Sequence, residues 1–287
     1  MKNVCDALGV SRSGQYESQS RPPKLRERYR KKPSDTVLLD DIQAILAVRP
    51  ACGYRAVTAH LNRQRLKTGK PGLNHKYVYR LMRAHGLLLP KGSSRVERAH
   101  EGKIAVSESD TRWCSDGFEI PCFNGEKVRV AFSLDCCDRD ILAYVATTTG
   151  ITGHMIRDLM VLSLEARFPQ GIPRQNIEWL TDNGSCYIDK ETTRFGRDIG
   201  LVPIQTAVRS PESNGMAESF VRTFKRAYVA FGDLEDPSRV MAQLPKWFMD
   251  YRLYHPHSAL GWKSPSEFRA LRENRLSHMM ESQLTFN

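Results

Sequence analysis

The stretch Ile177-Glu178-Trp179-Leu180-Thr181-Asp182-Asn183-Gly184 decides the fold class, because a short apolar run passes directly into a tight turn. Such a run, closed by Asp-Asn-Gly, predicts a buried strand that ends at the edge of a sheet. A carboxylate at a strand end lies at the rim of an open α/β sheet, where ligand sites of such sheets occur. Asp182 is therefore the first candidate for a functional carboxylate.

A second stretch, Ser210-Pro211-Glu212-Ser213-Asn214-Gly215, leads into ten residues with helical spacing, 216–225. The apolar positions of this helix share one face and the charged positions share another: Ala217, Phe220, Val221 and Phe224 against Glu218, Arg222 and Lys225. An acid at a strand end and an acid on a later helix can hold a divalent cation between them. We predict that Asp182 and Glu218, with a third acid upstream, form an active site.

Strand and helix patterns alternate around these two acids. Three runs with alternating apolar residues predict an antiparallel meander: Arg112–Phe123, Lys127–Leu134 and Ile141–Thr148. Further helices and strands follow in alternation: Gly153–Phe168, the strand before Asp182, Lys190–Ile199, Leu201–Gln205 and the helix of Glu218. This order predicts an α/β fold in which helices flank a mixed sheet.

The charge of the chain is unevenly distributed. The formal net charge is +11, and residues 1–100 contain 21 lysines and arginines against 7 acidic residues. Residues 101–287 contain 22 basic residues against 25 acidic ones. A basic module joined to a slightly acidic one predicts a polyanion-binding part beside a part that uses carboxylates. A basic surface that serves only solubility is the alternative.

The basic part is predicted to be helical. Residues 1–20 resemble a partial helix-turn-helix, and residues 34–88 predict a small all-α DNA-binding region. The third helix of that region begins after Asn74, and its exposed face carries the predicted DNA contacts Lys76, Arg80 and Arg83. A plain structural bundle is the alternative.

Three further segments complete the predicted organisation. Residues 89–109 lose periodicity and predict a linker. Residues 110–232 are the predicted catalytic core, and residues 233–287 are a predicted C-terminal helical extension.

Cysteine usage and hydropathy indicate the compartment. The seven cysteines are scattered without CxxC spacing, which predicts free thiols in a reducing compartment. No apolar run reaches the roughly 18 residues of a membrane span, and the polar first residues lack the apolar region of a signal peptide. We expect a cytoplasmic protein with no membrane partner.

A third acid, Asp116, lies within the first predicted strand. Three carboxylates supply the oxygen ligands that Mg²⁺ prefers, and they leave positions for water and phosphate oxygens. Paired ions of this kind activate an attacking oxygen and stabilise a leaving oxygen during in-line phosphoryl displacement. We therefore expect Mg²⁺ as the cofactor, with Mn²⁺ able to substitute.

The acids and their surrounding motifs resemble a known superfamily. Asp182 and Glu218 have 35 residues between them, and this D,D(35)E spacing resembles retroviral integrases and bacterial insertion-sequence transposases. Four motifs are similar to the OrfB protein of copy-out-paste-in insertion sequences: Trp113-Cys114-Ser115-Asp116, Leu180-Thr181-Asp182-Asn183-Gly184, 210–220 and 255–261. Gly53-Tyr54-Arg55 and Tyr79-Arg80-Leu81-Met82-Arg83 are similar to the helical segment before that family's core. The resemblance covers about residues 35–270.

The resemblance implies an RNase H-like integrase core with Asp116, Asp182 and Glu218 as the catalytic and metal-binding triad. It implies hydrolytic nicking of an element end, followed by attack of the freed 3′-OH on a phosphodiester without a covalent protein–DNA intermediate. It also implies that Lys225 contacts terminal DNA phosphates, with a weaker role of this kind for Arg222. The implied partners are double-stranded DNA of the element ends and target, further copies of the chain on DNA, and an upstream-frame DNA-binding protein fused by frameshifting.

Several alternatives remain open. Glu212 would leave 29 residues after Asp182 as the third acid, but it precedes the helix. Asp135 and Asp138 are predicted to be turn and sheet-edge residues. The His-Pro-His pair at 255–257 has no further partners at zinc-finger spacing, which favours packing over zinc binding. The alternative functions are a non-catalytic DNA-binding regulator or inactive element remnant, and a nuclease acting on RNA–DNA hybrids.

Overall fold

The computed structural model of the chain describes residues 33–90, 106–171, 175–205 and 215–284, and it describes side chains up to residue 275. The predicted partial helix-turn-helix at 1–20 and the alternative acid Glu212 lie outside these ranges, as does most of the predicted linker.

Three helices form the helical unit, which we define as residues 33–90: α1 (Pro33–Val48), α2 (Tyr54–Lys67) and α3 (His75–Ala84). The helices enclose a small apolar core made of Leu38, Ile42, Ile45, Cys52, Val57, Leu61, Val78, Leu81 and Met82. Asn74 caps α3, as predicted, because its side chain accepts a hydrogen bond from the backbone amide of Lys76.

One predicted core residue of the helical unit is wrong. The sequence pattern of α1 predicts an inner face made of Val37, Leu38, Ile42, Ile45 and Leu46, yet Val37 is 66% exposed. The inner stripe of α1 instead follows Leu38, Ile42 and Ile45, which are spaced four and three residues apart and are buried. Val37 lies one position away from that stripe and points to the outer side.

Five strands form one mixed sheet in the order β3-β2-β1-β4-β5: β1 (Arg112–Pro121), β2 (Lys127–Asp135), β3 (Ile141–Thr147), β4 (Ile177–Thr181) and β5 (Leu201–Gln205). β1, β2 and β3 pair antiparallel, so the predicted meander is confirmed. β4 pairs parallel with β1, and β5 pairs parallel with β4. The parallel pairs bring the carboxyl end of β4 beside the middle of β1.

Helices cover both faces of the sheet. One face packs against α4 (Gly153–Arg167), α5 (Ser185–Ile188) and α6 (Lys190–Asp198) around Trp113 and Trp179. The other face packs against α7 (Gly215–Ala227) and α8 (Pro237–Tyr254), with α9 (Pro265–Leu284) following. The short helix α5 was not predicted, because it has only four residues and directly follows a sequence that indicates a tight turn.

A buried arginine joins α4 to the turn between β2 and β3. Arg167 lies 2.6 Å from Asp110, 2.9 Å from Asp138, and 3.4 Å from both Asp135 and Asp140. Burial alone would lower the pKa of Arg167, but the surrounding carboxylates raise it above its ordinary value. Burial raises the pKa of Asp135 to about 6, and the Asp138 charge adds to that rise. Asp135 and Asp138 therefore act in this network at the sheet edge.

The C-terminal extension, described over residues 233–284, packs on the same turn. Arg252 of α8 lies 2.9 Å from Asp140, and Arg269 of α9 lies 3.9 Å from it. His255 and His257 pack against the ring of Tyr251, with ring centroids 5.3 and 5.0 Å apart. This arrangement agrees with the predicted packing role of the His-Pro-His segment.

Two simpler expectations concern thiols and membrane spans. The six cysteines within the described ranges are free, and five of them are buried. Across residues 33–90, 106–171, 175–205 and 215–284, no helix is both long and apolar enough to cross a membrane.

Candidate active site

Asp116 lies in the middle of β1, on the sheet face that α7 covers. Side chains alternate between the faces of a strand, so Asp116 shares its face with Cys114 and Phe118, which pack in the apolar layer under α7 and α8. Phe118 contacts Phe224 of α7, with ring centroids 5.6 Å apart. The helix that carries Glu218 therefore runs over the strand that carries Asp116.

Asp182 follows the last residue of β4. Cys114 of β1 is the register partner of Leu180 of β4, and continuing this parallel register by two residues places Asp182 level with Asp116. Leu180 packs in the same apolar layer as Cys114, so the alternation also directs Asp182 toward the α7 face. The position at the carboxyl end of β4 was predicted from the sequence.

Glu218 lies in the first turn of α7, whose two faces divide as predicted. Ala217, Phe220 and Phe224 are buried against the sheet, whereas Glu218 is exposed. Phe220 stacks near Phe132 of β2 with ring centroids 4.4 Å apart, which fixes the rotation of α7 on the sheet. This rotation leaves Glu218 at the rim of the helix–sheet contact.

The electrostatics of Asp116 place the three acids in one neighbourhood. Burial, with smaller contributions from the charges of Asp182 and Glu218, raises the pKa of Asp116 to about 6, and a hydrogen bond from the Gly117 amide opposes the rise. Like charges that raise a neighbour's pKa must lie close to it through a poorly screened medium. Asp182 and Glu218 are therefore near enough to Asp116 for their charges to act on it.

Two of the acids are turned toward their own backbone. Asp116 accepts a hydrogen bond of 2.7 Å from the Gly117 amide, and Asp182 accepts one of 3.0 Å from the Gly184 amide. Within the described ranges, no three His, Cys, Asp or Glu side chains converge into an arrangement that could hold a metal ion. The donor set nevertheless fits a hard divalent cation, because it consists of carboxylate oxygens whose mutual repulsion a cation would relieve.

A small polar shell supports the two aspartates from behind. Ser115 precedes Asp116 and shares a buried hydrogen bond of 2.9 Å with the hydroxyl of Tyr187 on α5. Gly184 stands where a Cβ atom would lie 3.0 Å from Oδ1 of Asp182. The turn after β4 therefore needs a glycine so that the Asp182 carboxylate can fold back over the chain.

The predicted phosphate contacts on α7 lie beside the acids. Lys225 is exposed, and its ammonium group lies 5.8 Å from the centroid of Phe118, two residues beyond Asp116 on the same sheet face. Arg222 is exposed, and in the described part of the chain it has no hydrogen bond or ion pair. Arg226, which the sequence analysis passed over, follows Arg222 by four residues and is also exposed. Its spacing of eight residues from Glu218 on the same helix could have identified it as a further candidate.

The predicted DNA contacts of the helical unit lie on the outer side of α3. Lys76, Arg80 and Arg83 are all exposed. The guanidinium of Arg80 donates only to the carbonyl of Lys76, one turn earlier, at 3.3 Å. This face is therefore available to a polyanion.

Comparison with known proteins decides the family. An integrase core domain model matches residues 106–211, a second integrase core domain model matches residues 200–265, and an HTH-like domain model matches residues 33–92. The transposase InsD for insertion element IS2A/D/F/H/I/K of Escherichia coli is 48% identical over 236 residues, which cover 82% of this chain and 78% of that relative. The chain belongs to the insertion-sequence transposases.

The chain is also similar to further transposases of this kind and to solved structures. The transposase InsD for insertion element IS2-9 of Escherichia coli strain K12 is also 48% identical, over 82% of this chain and 77% of that relative. A chain of the simian T-cell lymphotropic virus intasome superposes with a TM-score of 0.49 at 14% identity, covering 79% of this chain and 73% of its own.

Membership fixes the general function. The transposase has a mixed sheet with flanking helices that forms an RNase H-like integrase core, preceded by an HTH-like helical region. It is a polynucleotidyl transferase that acts on DNA by the mechanism of enzymes with two aspartates and a glutamate.

Proposed function

We propose that Asp116, Asp182 and Glu218 are the catalytic triad of this transposase. The observation that carries the proposal is the parallel register of β1 and β4, in which Asp182 lies level with Asp116 under the helix that carries Glu218. The reaction is hydrolytic cleavage at the end of the element, followed by attack of the freed 3′-OH on a target phosphodiester. Both steps are phosphoryl transfers at phosphorus, and neither requires a protein nucleophile.

We further propose that Mg²⁺ is the cofactor and that Mn²⁺ substitutes for it. The carboxylates of Asp116, Asp182 and Glu218 would hold the ions. When bound, such ions activate the attacking oxygen and neutralise charge on the leaving oxygen. The protein's own part is to present the three carboxylates from a strand, a turn and a helix that pack rigidly on one another.

The basic side chains position the DNA. In this proposal Lys225, and more weakly Arg222, contact phosphates next to the scissile bond, because both extend from the helix that carries Glu218. Lys76, Arg80 and Arg83 of α3 contact the duplex further from that bond. An exposed basic side chain that joins a phosphate releases counterions, so these contacts also make binding salt-dependent.

The proposed transposase has three units and acts on DNA together with further protein partners. The units are a helical DNA-binding region at 34–88, a core at 110–232 and a C-terminal extension at 233–287. The substrates are double-stranded element ends and target DNA in the cytoplasm, at the nucleoid. Two ends are joined by more than one copy of the chain, and an upstream-frame DNA-binding protein fused by frameshifting supplies further contacts.

A strand-transfer assay with labelled element-end DNA tests the triad. Asp116→Asn, Asp182→Asn and Glu218→Gln each keep the shape of the side chain and remove its charge. We expect each to lower cleavage and strand transfer with Mg²⁺ or Mn²⁺ by at least about a thousandfold, or roughly 4 kcal/mol of transition-state stabilisation. Glu126→Gln, an exposed acid in the turn between β1 and β2, is the matched control.

The outcomes separate the alternatives. If the substituted proteins cleave as well as the parent, the three acids do not take part in catalysis. A parent that binds ends but never cleaves them would favour a non-catalytic DNA-binding regulator or inactive remnant. Cleavage of an RNA–DNA hybrid in preference to the element end would favour a hybrid nuclease.

A further inference from the structure

The helical unit meets the C-terminal extension along a seam of polar and charged side chains. We define the seam as Arg49, His60 and Arg63 of the helical unit with Asp250, Tyr254, Trp262 and Glu267 of the extension, together with His255 and His257. These groups come from opposite ends of the described chain and are separated by about two hundred residues in sequence.

Arg63 of α2 makes three contacts across the seam. Its guanidinium donates to the carbonyl of Tyr254 at 2.6 Å and to the carbonyl of Trp262 at 3.5 Å, and it lies 2.7 Å from the Glu267 carboxylate. The Arg63 side chain is 19% exposed and that of Glu267 is 37% exposed, so water screens this ion pair in part. A planar fork with several donors suits this set of acceptors, whereas a single ammonium group does not.

The acceptors of Arg63 are held in place by the extension itself. Glu267 also accepts a hydrogen bond of 2.8 Å from the Ser264 amide, and the Glu267 amide donates to the Ser264 hydroxyl, which together form a capping box at the start of α9. Gly261 and Trp262 have φ angles of 62° and 66°, a left-handed pair that turns the Trp262 carbonyl toward the seam.

A second arginine connects the seam to the catalytic helix. Arg49 of α1 pairs with the carboxylate of Asp250, and its guanidinium lies 5.5 Å from the centroid of the Tyr254 ring. The other oxygen of Asp250 accepts a 3.0 Å hydrogen bond from Tyr228. Tyr228 directly follows α7, the helix that carries Glu218, so a continuous set of contacts runs from the helical unit to that helix.

Histidines fill the space between the two arginines. His255 and His257 lie with ring centroids 5.0 Å apart, and the Nε2 atoms of His60 and His257 are buried without a hydrogen-bond partner among the described residues. The ring contacts of His255 and His257 with each other and with Tyr251 show that this part of the seam is closely packed. Such packing resists sliding of one surface on the other.

We propose that Arg63 and Arg49 are positioning residues that latch the helical unit to the extension and thereby fix the distance from α3 to the three acids. The chain connection cannot set this distance, because the 15 residues from 91 to 105 reach up to about 50 Å when extended. The seam therefore fixes the distance between the DNA segment bound by α3 and the three acids, so that the transposase acts as a ruler. An element end is cut only where the spacing between its bound segment and its scissile phosphate matches that distance.

The inference rests on the proposed function, in which α3 binds the duplex of the element end. If the distance from α3 to the three acids is fixed, cleavage depends on the spacing of the DNA substrate. A contact that only stabilises the fold would not cause this dependence. Inserting half a helical turn of DNA, about five base pairs, rotates the scissile phosphate to the opposite side of the duplex. A latched enzyme cannot follow that rotation, whereas an enzyme with a released helical unit can.

The test is cleavage of element ends that carry the half-turn insertion at successive positions inward from the cut, compared with the native end. We expect the parent to cut the native end at least about tenfold better than the lengthened ends. In Arg63→Ala and Arg49→Ala this ratio should fall toward one, while affinity for the native end stays within about twofold because the outer face of α3 is unchanged. Arg63→Lys, which keeps only the pairing with Glu267, should lie between.

The matched control is Arg239→Ala. Arg239 lies at the exposed start of α8, away from the seam, and pairs with Asp233 in the segment before that helix. This variant should keep the parent's ratio. If Arg63→Ala cuts no end at all, Arg63→Lys and Arg49→Ala carry the comparison.

Two results overturn the latch: a parent that cuts lengthened and native ends equally, or seam variants that keep the parent's ratio. Failure of the proposed function gives a different result. If substituting Lys76, Arg80 and Arg83 together by alanine leaves affinity for the end unchanged, α3 does not bind the end, whatever the spacing ratio shows.

Discussion

The hydroxyl groups of Ser115 and Tyr187 share a hydrogen bond of 2.9 Å directly behind Asp116 and Asp182. Ser115 is fully buried, and burial raises the pKa of Tyr187 well above its ordinary value, so this hydroxyl stays neutral. The bond ties β1 to α5, the two elements that adjoin the aspartates. Loss of either hydroxyl would therefore loosen the positions of both carboxylates.

Tyr187→Phe should lower the free energy of unfolding by about 1–3 kcal/mol, because the Ser115 hydroxyl is left buried without its partner. Ser115→Ala in the same protein should recover part of that loss, since both polar groups are then gone. Urea unfolding of the two single variants and the double variant measures the coupling. Strictly additive losses would show that the bond does not tie the elements together.

Lys225→Ala should weaken binding to element-end DNA and reduce the slope of log affinity against log salt by about one, the loss of one phosphate contact. Binding isotherms at several salt concentrations measure both quantities. Lys246→Ala, an exposed lysine on α8, is the matched control and should leave the slope unchanged. A Lys225→Ala slope equal to that of the parent would remove Lys225 from the phosphate contacts.

Gly184→Ala should reduce cleavage by roughly tenfold or more, corresponding to about 1.4 kcal/mol, with little loss of stability. The backbone of Gly184 has φ −61°, which alanine accepts, but the added Cβ would stand 3.0 Å from the Asp182 carboxylate and displace it. Gly150→Ala meets nothing within 4 Å and serves as control. Full activity in Gly184→Ala would show that Asp182 tolerates displacement.

Acid should destabilise the transposase partly through His60. Burial, together with the charges of Arg49 and Arg63, lowers the pKa of His60 from 6.5 to about 3. Between those pH values the unfolded chain binds a proton here and the folded chain does not, so the free energy of unfolding falls as pH falls, by up to about 1.4 kcal/mol per pH unit.

His60→Leu removes this contribution. The stability of His60→Leu relative to the parent should rise as pH falls from about 6.5 to about 4, and urea unfolding across that range measures it. His154→Leu, a substitution of an exposed histidine on α4, is the control variant. A pH-independent difference between His60→Leu and the parent would mean that His60 titrates normally in the folded chain.

The catalytic half of the fold was predictable because its signals are local. The alternation in 127–134 and the apolar face of the helix after Gly215 each depend on a few neighbouring residues, and both are confirmed. The predicted order of the three acids along the chain also agrees with their placement on a strand, at a strand end and on a helix. Their catalytic role stays a prediction.

The seam could not be predicted, since its partners are remote in sequence and chemically ordinary. Nothing around Arg63 distinguishes it from Arg65, which bonds to Pro71 within the helical unit. Only the fold brings Arg63 to Glu267. The misplacement of Val37 has a related cause, because periodicity gives the width of an apolar face but neighbouring helices decide its edge.

The carboxylates around Arg167 make the core dependent on the C-terminal extension. Asp110, Asp135, Asp138 and Asp140 outnumber the single guanidinium between them, and Arg252 and Arg269 of the extension supply further positive charge at Asp140. A buried excess of negative charge is strongly destabilising. A stop codon late in the reading frame, well past the codon for Glu218, would therefore silence the element by unfolding a core whose three acids it left intact.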